Sequence, residues 1–370
     1  MTTAPNKKLR VLIVDDSTFM RKVLQDIINA DPQLEVVGQG ADGRDGVALA
    51  QSLRPDVITM DINMPHLDGL QATELIMSQN PRPIVIVSSE SREGTTSTLK
   101  ALELGAVDFV TKPTSGIDLD MKTVAEDLNR KIRTAAKVRV VRTATRSALP
   151  MPRAPLSATA AAVNSAALTQ SGGKFPMVVL AASTGGPAAI TRVVAGLPKD
   201  FPAAVFLVVH MPAAFTKQFA VQLTEITALP VKEAEANEVP QAGTIYLCPG
   251  SHHLQLSSGG KITLDPGPRI DGYRPCADVA LESIAAYAGM LMVAVVLTGM
   301  GADGAKGVKT VKSAGGCVLA QDEATSTIFG MPAEAIKTGA VEEVLGLDDI
   351  APALEKRVAK LLRLAPVGAR

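Results

Sequence analysis

The chain has 370 residues, of which 46% are apolar, 20% are charged and only 3% are aromatic. This length predicts two domains, and the composition fits globular domains with aliphatic cores. Basic and acidic residues each number 37, so the net charge is zero and gives no electrostatic reason to expect nucleic acid or an anionic membrane as a partner.

Three cysteines are widely spaced along the chain and fit neither a disulfide framework nor a metal-binding motif. They predict small buried side chains in a reducing cytosol. The N-terminal segment enters a strand without the apolar region of an export signal. The longest apolar run, residues 290–297, is shorter than the about 20 residues that a membrane span needs. We therefore expect a cytoplasmic protein without membrane insertion.

From residue 9 to about 136, short apolar strands alternate with amphipathic helical patterns. The predicted strands are 9–14, 34–38, 57–60, 83–88 and 107–111. Five such strand–helix units predict a doubly wound parallel sheet, in which ligands bind beyond the carboxyl ends of the strands.

The pattern changes after this region. Residues 137–174 are rich in Ala, Arg, Thr, Ser and Pro and lose sustained apolar periodicity, which predicts a linker. We accordingly expect a first domain over residues 1–136 and a second over residues 175–370.

The strand–helix alternation resumes in the second domain. Strands are predicted at 178–182, 203–209 and 291–297, and short strands with glycine turns near 230–265. The second domain is therefore also predicted to be α/β, with a mostly parallel sheet.

Acidic residues follow the predicted strands of the first domain. Asp15 and Asp16 end the first strand and Asp61 the third, while Ser88 ends the fourth and Lys112 follows the fifth. Parallel strands bring these ends to one edge of the sheet. Clustered carboxylates suit Mg²⁺, and a carboxylate can also accept a phosphoryl group, whose oxygens the serine and lysine would hold.

These residues resemble the receiver domain of bacterial two-component response regulators, which has a flavodoxin-like fold. The stretches that carry the resemblance are Val14-Asp15-Asp16-Ser17, Met60-Asp61-Ile62-Asn63-Met64-Pro65, Val87-Ser88-Ser89 and Thr111-Lys112-Pro113. The resemblance implies that Asp61 is phosphorylated by a histidine kinase. It also implies that Asp15, Asp16, Asp61 and the backbone carbonyl of Asn63 bind Mg²⁺.

The same resemblance assigns contacts with the phosphoryl group to Ser88 and Lys112, and it places Phe109 at the aromatic switch position of that family. Turn and helix capping explains any single one of the acidic residues, but not the whole set at the ends of separate strands. For Phe109 alone, simple core packing is an equal alternative.

A candidate nucleophile, Ser183, follows the first strand of the second domain and precedes Gly185. The small residues around it suit a tight strand-to-helix turn that exposes a nucleophile, and helix N-terminal amides nearby would serve an oxyanion. The alternative is that Ser183 is a helix N-cap.

Two further residues complete a candidate catalytic set. His210 ends the strand at 203–209, and Asp303 lies in the glycine-rich loop that follows the strand at 291–297. Each candidate therefore lies at the carboxyl end of a different strand, as a Ser–His–Asp arrangement requires. A structural histidine at 210 and a helix-capping or ion-binding aspartate at 303 are the alternatives.

The second domain resembles the chemoreceptor protein-glutamate methylesterases (CheB). The stretches that carry the resemblance are Ala182-Ser183-Thr184-Gly185-Gly186-Pro187, His210-Met211-Pro212, Pro249-Gly250 with His252-His253, Leu297-Thr298-Gly299-Met300-Gly301-Ala302-Asp303-Gly304 and Gly330-Met331-Pro332. It implies Ser183 as nucleophile, His210 as base and Asp303 as its partner, with an oxyanion site at the backbone of Met300 and Thr184.

The implied function is that of a phosphorylation-regulated hydrolase, with Mg²⁺ in the receiver domain and no cofactor in the hydrolase domain. It would demethylate glutamate methyl esters on methylated chemoreceptors, release methanol and deamidate selected receptor glutamines. An inactive binding module and a transcriptional regulator are the alternatives. The intact Ser–His–Asp set argues against the first, and the zero net charge and missing basic recognition helix argue against the second.

Overall fold

The computed structural model describes residues 7–89, 91–112, 118–138 and 175–364. The chain divides into two compact units, with the division after Leu149. All but the first two residues of the predicted linker, 137–174, lie outside the described residues.

The first unit contains a five-stranded parallel sheet in the order β2-β1-β3-β4-β5. Its strands are β1 (Leu9–Val14), β2 (Leu34–Gly40), β3 (Val57–Met60), β4 (Ile84–Ser88) and β5 (Asp108–Thr111). Its helices are α1 (Thr18–Asn29), α2 (Gly43–Leu53), α3 (Gly69–Gln79), α4 (Arg92–Glu103) and α5 (Asp118–Ala135). The predicted doubly wound, flavodoxin-like fold is confirmed. The strand order reverses between β1 and β3, because β2 lies on one side of β1 and β3 lies on its other side.

Alternating side chains of β1 explain how helices cover this sheet. Val11 and Ile13 belong to one buried cluster, which includes Leu24 of α1 and Ile132 of α5. Helix α1 begins where the Ser17 hydroxyl accepts a hydrogen bond from the backbone N–H of Met20 at 3.3 Å. Residues immediately after β1 are therefore held at the sheet edge.

The second unit contains a seven-stranded sheet in the order β14-β13-β12-β6-β7-β9-β8, in which every pair is parallel. The strands are β6 (Met177–Ala182), β7 (Ala204–Val209), β8 (Val231–Glu233), β9 (Ile245–Leu247), β12 (Met292–Val296), β13 (Cys317–Gln321) and β14 (Glu343–Leu345). A separate antiparallel hairpin pairs β10 (His253–Leu256) with β11 (Ile262–Asp265). The predicted α/β class is confirmed.

Helices complete the second unit. They are α6 (Gly186–Ala195), α7 (Ala213–Ile226), α8 (Ala277–Ala288), α9 (Gly307–Ser313), α10 (Met331–Lys337) and α11 (Leu347–Leu364), with a 3₁₀ turn at Gly289–Leu291. Strands β6, β7 and β12 are buried along their whole length, as expected for central strands of a covered parallel sheet.

Strand register fixes the edge where these three strands end. Ala182 pairs with Val209 across β6 and β7, and Ala181 pairs with Val296 across β6 and β12. The residues that follow all three strands therefore emerge side by side, with β6 in the middle.

Candidate active site

Ser183 lies at the end of the central strand β6. Its backbone N–H donates to the carbonyl of Thr298 at 3.0 Å, and the backbone N–H of His210 donates to the carbonyl of Ala182 at 3.2 Å. The His210 bond continues the register of β6 with β7 one residue beyond the strands, and the Thr298 bond holds the loop after β12 against Ser183. Adjacent strands lie about 4.8 Å apart, so Ser183 has His210 on one side and the loop after β12 on the other.

A left-handed glycine turns the chain from β6 into α6. Gly185 has φ of 76° and is itself the N-cap residue, without a side-chain capping bond. A Cβ at this position would lie 2.4 Å from the hydroxyl oxygen of Thr327. Glycine is required here by both conformation and space. The N-cap alternative for Ser183 does not hold, because the helix begins after it.

The His210 ring is largely buried and contacts Asp303. Its Nε2 lies 2.7 Å from Oδ2 of Asp303, and only 9% of its side chain is exposed. The other ring nitrogen, Nδ1, is buried and has no hydrogen-bond partner within the part of the chain that the structure describes. A carboxylate acceptor fixes the proton on Nε2, which leaves Nδ1 as the basic nitrogen.

The carboxylate of Asp303 accepts four hydrogen bonds. Oδ2 accepts from His210 and from the backbone N–H of Ala277 at 2.7 Å; Oδ1 accepts from the backbone N–H of Asp278 at 3.0 Å and from the Cys276 thiol at 3.1 Å. Three of these donors come from the first turn of α8 and its N-cap residue, where the helix dipole also favours a negative charge.

This environment determines the charge of Asp303. Burial alone would raise the pKa of its carboxyl group, but the hydrogen bond and charge of His210 and the backbone N–H groups of α8 outweigh burial and lower the pKa to about 2. The Cys276 thiol shows the opposite response: burial and the neighbouring carboxylate raise its pKa to about 12. Asp303 is therefore ionised and Cys276 is a neutral hydrogen-bond donor at neutral pH.

Prediction from sequence missed two contacts at this site, Cys276 and Tyr273. The Tyr273 ring stacks on the His210 ring with 4.0 Å between centroids and 15° between planes. The Asp271-Gly272 dipeptide before Tyr273 is a turn signal that marks this segment in the sequence. No comparable local signal points to Cys276.

The proposed oxyanion residues flank Ser183. A Cβ on Gly299 would lie 2.8 Å from Cβ of Ser183, so the loop that contains Met300 passes directly beside the serine. Thr184 is buried, and its carbonyl accepts from the Thr298 hydroxyl at 3.0 Å. Both residues are therefore close to the serine, and their oxyanion role stays a prediction.

The acidic residues of the first unit also converge. Asp15 and Asp61 are buried, Asp16 is exposed, and one carboxylate oxygen from each lies within 4.8 Å of the others. Lys112 connects the buried pair, with Nζ 2.9 Å from Oδ2 of Asp15 and 2.8 Å from Oδ2 of Asp61. Asn63 is exposed in the loop after β3.

These contacts shift two pKa values. Burial raises the pKa of Asp61, although the hydrogen bond and charge of Lys112 act to lower it. Burial acts to lower the pKa of Lys112, but Asp61 and Asp15 outweigh it and raise that pKa. The lysine therefore stays protonated between the two carboxylates.

Ser88 and Phe109 occupy neighbouring strands β4 and β5. The Ser88 hydroxyl is buried and donates to the carbonyl of Gly94 at 3.2 Å. The ring of Phe109 is buried, with Nζ of Lys131 5.1 Å from its centroid, and the same Nζ donates to the Phe109 carbonyl at 2.6 Å. Lys131, which has no motif of its own, was not predicted from the sequence.

The carboxylates of Asp15, Asp16 and Asp61, two of them buried, form a set of hard oxygen donors that fits Mg²⁺ in its usual coordination by carboxylates, phosphate and water.

The three cysteines Cys248, Cys276 and Cys317 are buried and free. Within residues 7–89, 91–112, 118–138 and 175–364, no helix has the length and apolarity to cross a bilayer.

A receiver-type acidic pocket in one unit and a serine, histidine and aspartate at one sheet edge in the other define a class, response regulators with a hydrolase-like output domain. Residues 11–123 match the response regulator receiver domain, and residues 178–354 match the CheB methylesterase family.

Relatives match over almost the whole chain. A protein-glutamate methylesterase/protein-glutamine glutaminase of Symbiobacterium thermophilum is 42% identical over 97% of this chain and 100% of its own length. A protein of the same description from Pyrococcus horikoshii is 43% identical over 95% of this chain and 94% of its own. The CheB methylesterase catalytic domain of Thermotoga maritima, a crystal structure, is 40% identical over 50% of this chain and 98% of its own, with a TM-score of 0.48. The chain belongs to the CheB methylesterase family.

Proposed function

We propose that this protein hydrolyses glutamate methyl esters on chemoreceptors, releases methanol, and deamidates selected receptor glutamines, under the control of phosphorylation. The descriptions of its full-length relatives support the two reactions. The observation that carries the proposal is the contact of His210 Nε2 with Asp303, at a strand end adjacent to that of Ser183, while the buried Nδ1 has no hydrogen-bond partner among the described residues.

In the proposed reaction, Oγ of Ser183 attacks the ester carbonyl carbon as its proton moves to Nδ1 of His210. The carbonyl oxygen becomes an oxyanion that backbone N–H groups of Met300 and Thr184 would stabilise. The C–O bond to the methoxy group then breaks, and the oxygen of the leaving methanol takes the proton from Nδ1. Water repeats the sequence on the acyl-enzyme and restores glutamate and the serine hydroxyl.

The ring orientation distinguishes this site from the serine proteases, in which Nε2 is the base and Nδ1 contacts the aspartate. Here the two nitrogens exchange roles, and Asp303 serves the same purpose: it holds the ring proton on Nε2 and stabilises the imidazolium. For a glutamine side chain, the same steps release ammonia instead of methanol.

The first unit would supply the control. Asp61 is the proposed phosphoacceptor for a histidine kinase, with Asp15, Asp16, Asp61 and the carbonyl of Asn63 as Mg²⁺ ligands. The ion, when bound, offsets negative charge on the entering phosphoryl group. Lys112 already lies within 3 Å of the Asp15 and Asp61 carboxylates.

Ser88 and Lys112 would then contact the phosphoryl oxygens, and Phe109 would respond as the aromatic switch. A phosphoryl group adds nearly two negative charges and new acceptor oxygens, which suffices to reorganise neighbouring loops.

The proposed domain boundaries place the receiver domain at residues 1–136, the linker at 137–174 and the catalytic domain at 175–370. The free cysteines support a location in the reducing cytoplasm.

Methanol release from purified methylated chemoreceptor tests this function, with ammonia release from the unmodified receptor as the second reaction. The full chain should release methanol, and release should increase with a small phosphodonor and Mg²⁺. Ser183→Ala is the matched control, since it removes only one oxygen atom. Equal methanol release by this variant would refute the mechanism.

A further inference from the structure

Tyr273 covers one face of the proposed catalytic base. The near-parallel stack of its ring on His210, 4.0 Å between centroids, leaves both nitrogens of the imidazole at the edge of the ring plane. Asp303 occupies the edge at Nε2. The edge at Nδ1 is the one that the serine needs, so the stack restricts the ring without competing for either nitrogen.

A tight, hydrogen-bonded turn presents Tyr273 to the histidine. Ile270 and Tyr273 exchange two backbone hydrogen bonds, of 3.0 and 2.9 Å, around the central residues Asp271 and Gly272. Both central residues have positive φ, 50° and 87°, as a type I′ turn requires. Arg274, the next residue, donates to the carbonyls at positions 266 and 267 and anchors the segment.

The hydroxyl of Tyr273 reaches the loop on the other side of the site. It donates to the carbonyl of Met300 at 3.5 Å, a long hydrogen bond. A Cβ on Gly301 would lie 2.6 Å from this hydroxyl oxygen, so the loop fits closely around it. The tyrosine thus contacts both the base and the loop that carries the proposed oxyanion residue.

We propose that Tyr273 is a positioning residue for His210: it holds the imidazole in the plane that directs Nδ1 to Ser183, and its ring face stabilises the imidazolium that forms when the serine loses its proton. This inference rests on the proposed function and adds a residue to it. The ring face of an aromatic residue attracts a cation, and the attraction is greater where water is largely excluded, as at the His210 side chain, of which only 9% is exposed.

Three variants of the full chain separate the ring from the hydroxyl. Tyr273→Leu removes the aromatic face and should lower kcat for methanol release roughly tenfold with little change in KM, because the interaction strengthens only as the imidazolium forms. Tyr273→Phe keeps the face and should stay within about threefold of the parent, since a 3.5 Å hydrogen bond contributes little. Tyr287→Leu, the same change on α8, should leave kcat unaltered.

A second measurement needs no substrate. Nitrogen–proton NMR correlations of the histidine rings report which nitrogen carries the proton, and the chain has only four histidines, so His210→Gln assigns the signal. The parent and Tyr273→Phe should show a single His210 form with the proton on Nε2. Tyr273→Leu should show a broadened or averaged signal, because the ring is free to leave its plane.

Unchanged kcat in Tyr273→Leu, an equal loss in Tyr273→Phe, or an unaltered His210 signal in Tyr273→Leu would each overturn the inference. If the parent releases no methanol, the proposed function fails, and the NMR comparison still tests the role of Tyr273 alone. Tyr273→Met takes the place of the leucine variant should the latter unfold.

Discussion

Asp303→Asn tests the hydrogen-bond arrangement on which the site depends. The carboxylate accepts from the His210 ring, the Cys276 thiol and the backbone N–H groups of Ala277 and Asp278. An asparagine side chain has the same shape but only one acceptor oxygen, and its NH₂ group is itself a donor. At least two of the four donors must therefore face another donor in this variant.

Either orientation of the amide is unfavourable. With its oxygen towards His210, the NH₂ group opposes the N–H of Asp278, which is left buried and unsatisfied. With its NH₂ group towards His210, the ring must accept at Nε2, which moves its proton to Nδ1 and removes the base. A wrong tautomer of this kind lowers kcat by roughly 10⁴ in serine proteases, so we expect a loss of about 10³–10⁴ here.

The same variant should lose stability in a pH-dependent way. The pKa of Asp303 is about 2 in the folded protein and 3.8 in an unperturbed chain, a difference equivalent to about 2 kcal/mol for a buried carboxylate. Since the folded value is the lower one, this stabilisation is fully present above about pH 4 and is lost as the pH falls towards 2. The difference between parent and variant should shrink across that window.

Tyrosine fluorescence reports the unfolding of the second unit alone in the intact chain. The protein has no tryptophan, and its three tyrosines, Tyr246, Tyr273 and Tyr287, all belong to the second unit. Urea unfolding followed by this signal at pH 7 and at pH 2.5 gives the required free-energy differences. A destabilisation that is equal at both pH values, or a kcat loss below tenfold, would refute the reasoning.

Three further variants test separate parts of the structure. Ser183→Ala should abolish methanol release without changing the urea midpoint, and adding His210→Gln should lower activity little further, because the two residues act as one unit. Asp61→Ala should fold but show no activation of methanol release by a small phosphodonor with Mg²⁺; persistent activation would contradict the assignment of the phosphoacceptor. Gly185→Ala should destabilise the second unit by at least about 1–2 kcal/mol in urea, since φ is 76° and the added Cβ would lie 2.4 Å from the nearest side-chain atom. Gly259→Ala, where a Cβ meets nothing closer than 3.9 Å, is its control and should be nearly neutral.

The sequence predicts apolar strands of four to six residues better than it predicts the three-residue strands. Strands β1, β3 and β6 begin and end within one residue of their predicted positions, because a buried apolar run between turn signals defines them. Strands β8, β9 and β14 have only three residues each, too few for a period to appear. Their places in the sheet follow from long-range pairing, which no local pattern records.

The candidate site likewise contains residues that the sequence predicts and residues that it does not. Ser183, His210 and Asp303 could be predicted because each follows a strand, and strand ends are visible in the sequence. Tyr273 and Cys276 could not, because they lie on a connection before α8 and meet the site only through packing. The choice of Nε2 as the nitrogen that contacts the aspartate is likewise a matter of side-chain geometry alone.

The two units place an aspartate at equivalent sheet edges yet prepare it for different chemistry, and the donors around each carboxylate explain the difference. Asp303 accepts four hydrogen bonds and its pKa falls, so both oxygens are engaged and the group holds a charge for His210. Asp61 accepts one backbone bond, from Ile62 at 2.8 Å, and shares Lys112 with Asp15, and its pKa rises. Oδ2 of Asp61 contacts the Lys112 side chain and, among the described residues, no backbone donor, so this oxygen can form a new bond when the lysine shifts, as the proposed phosphoacceptor requires.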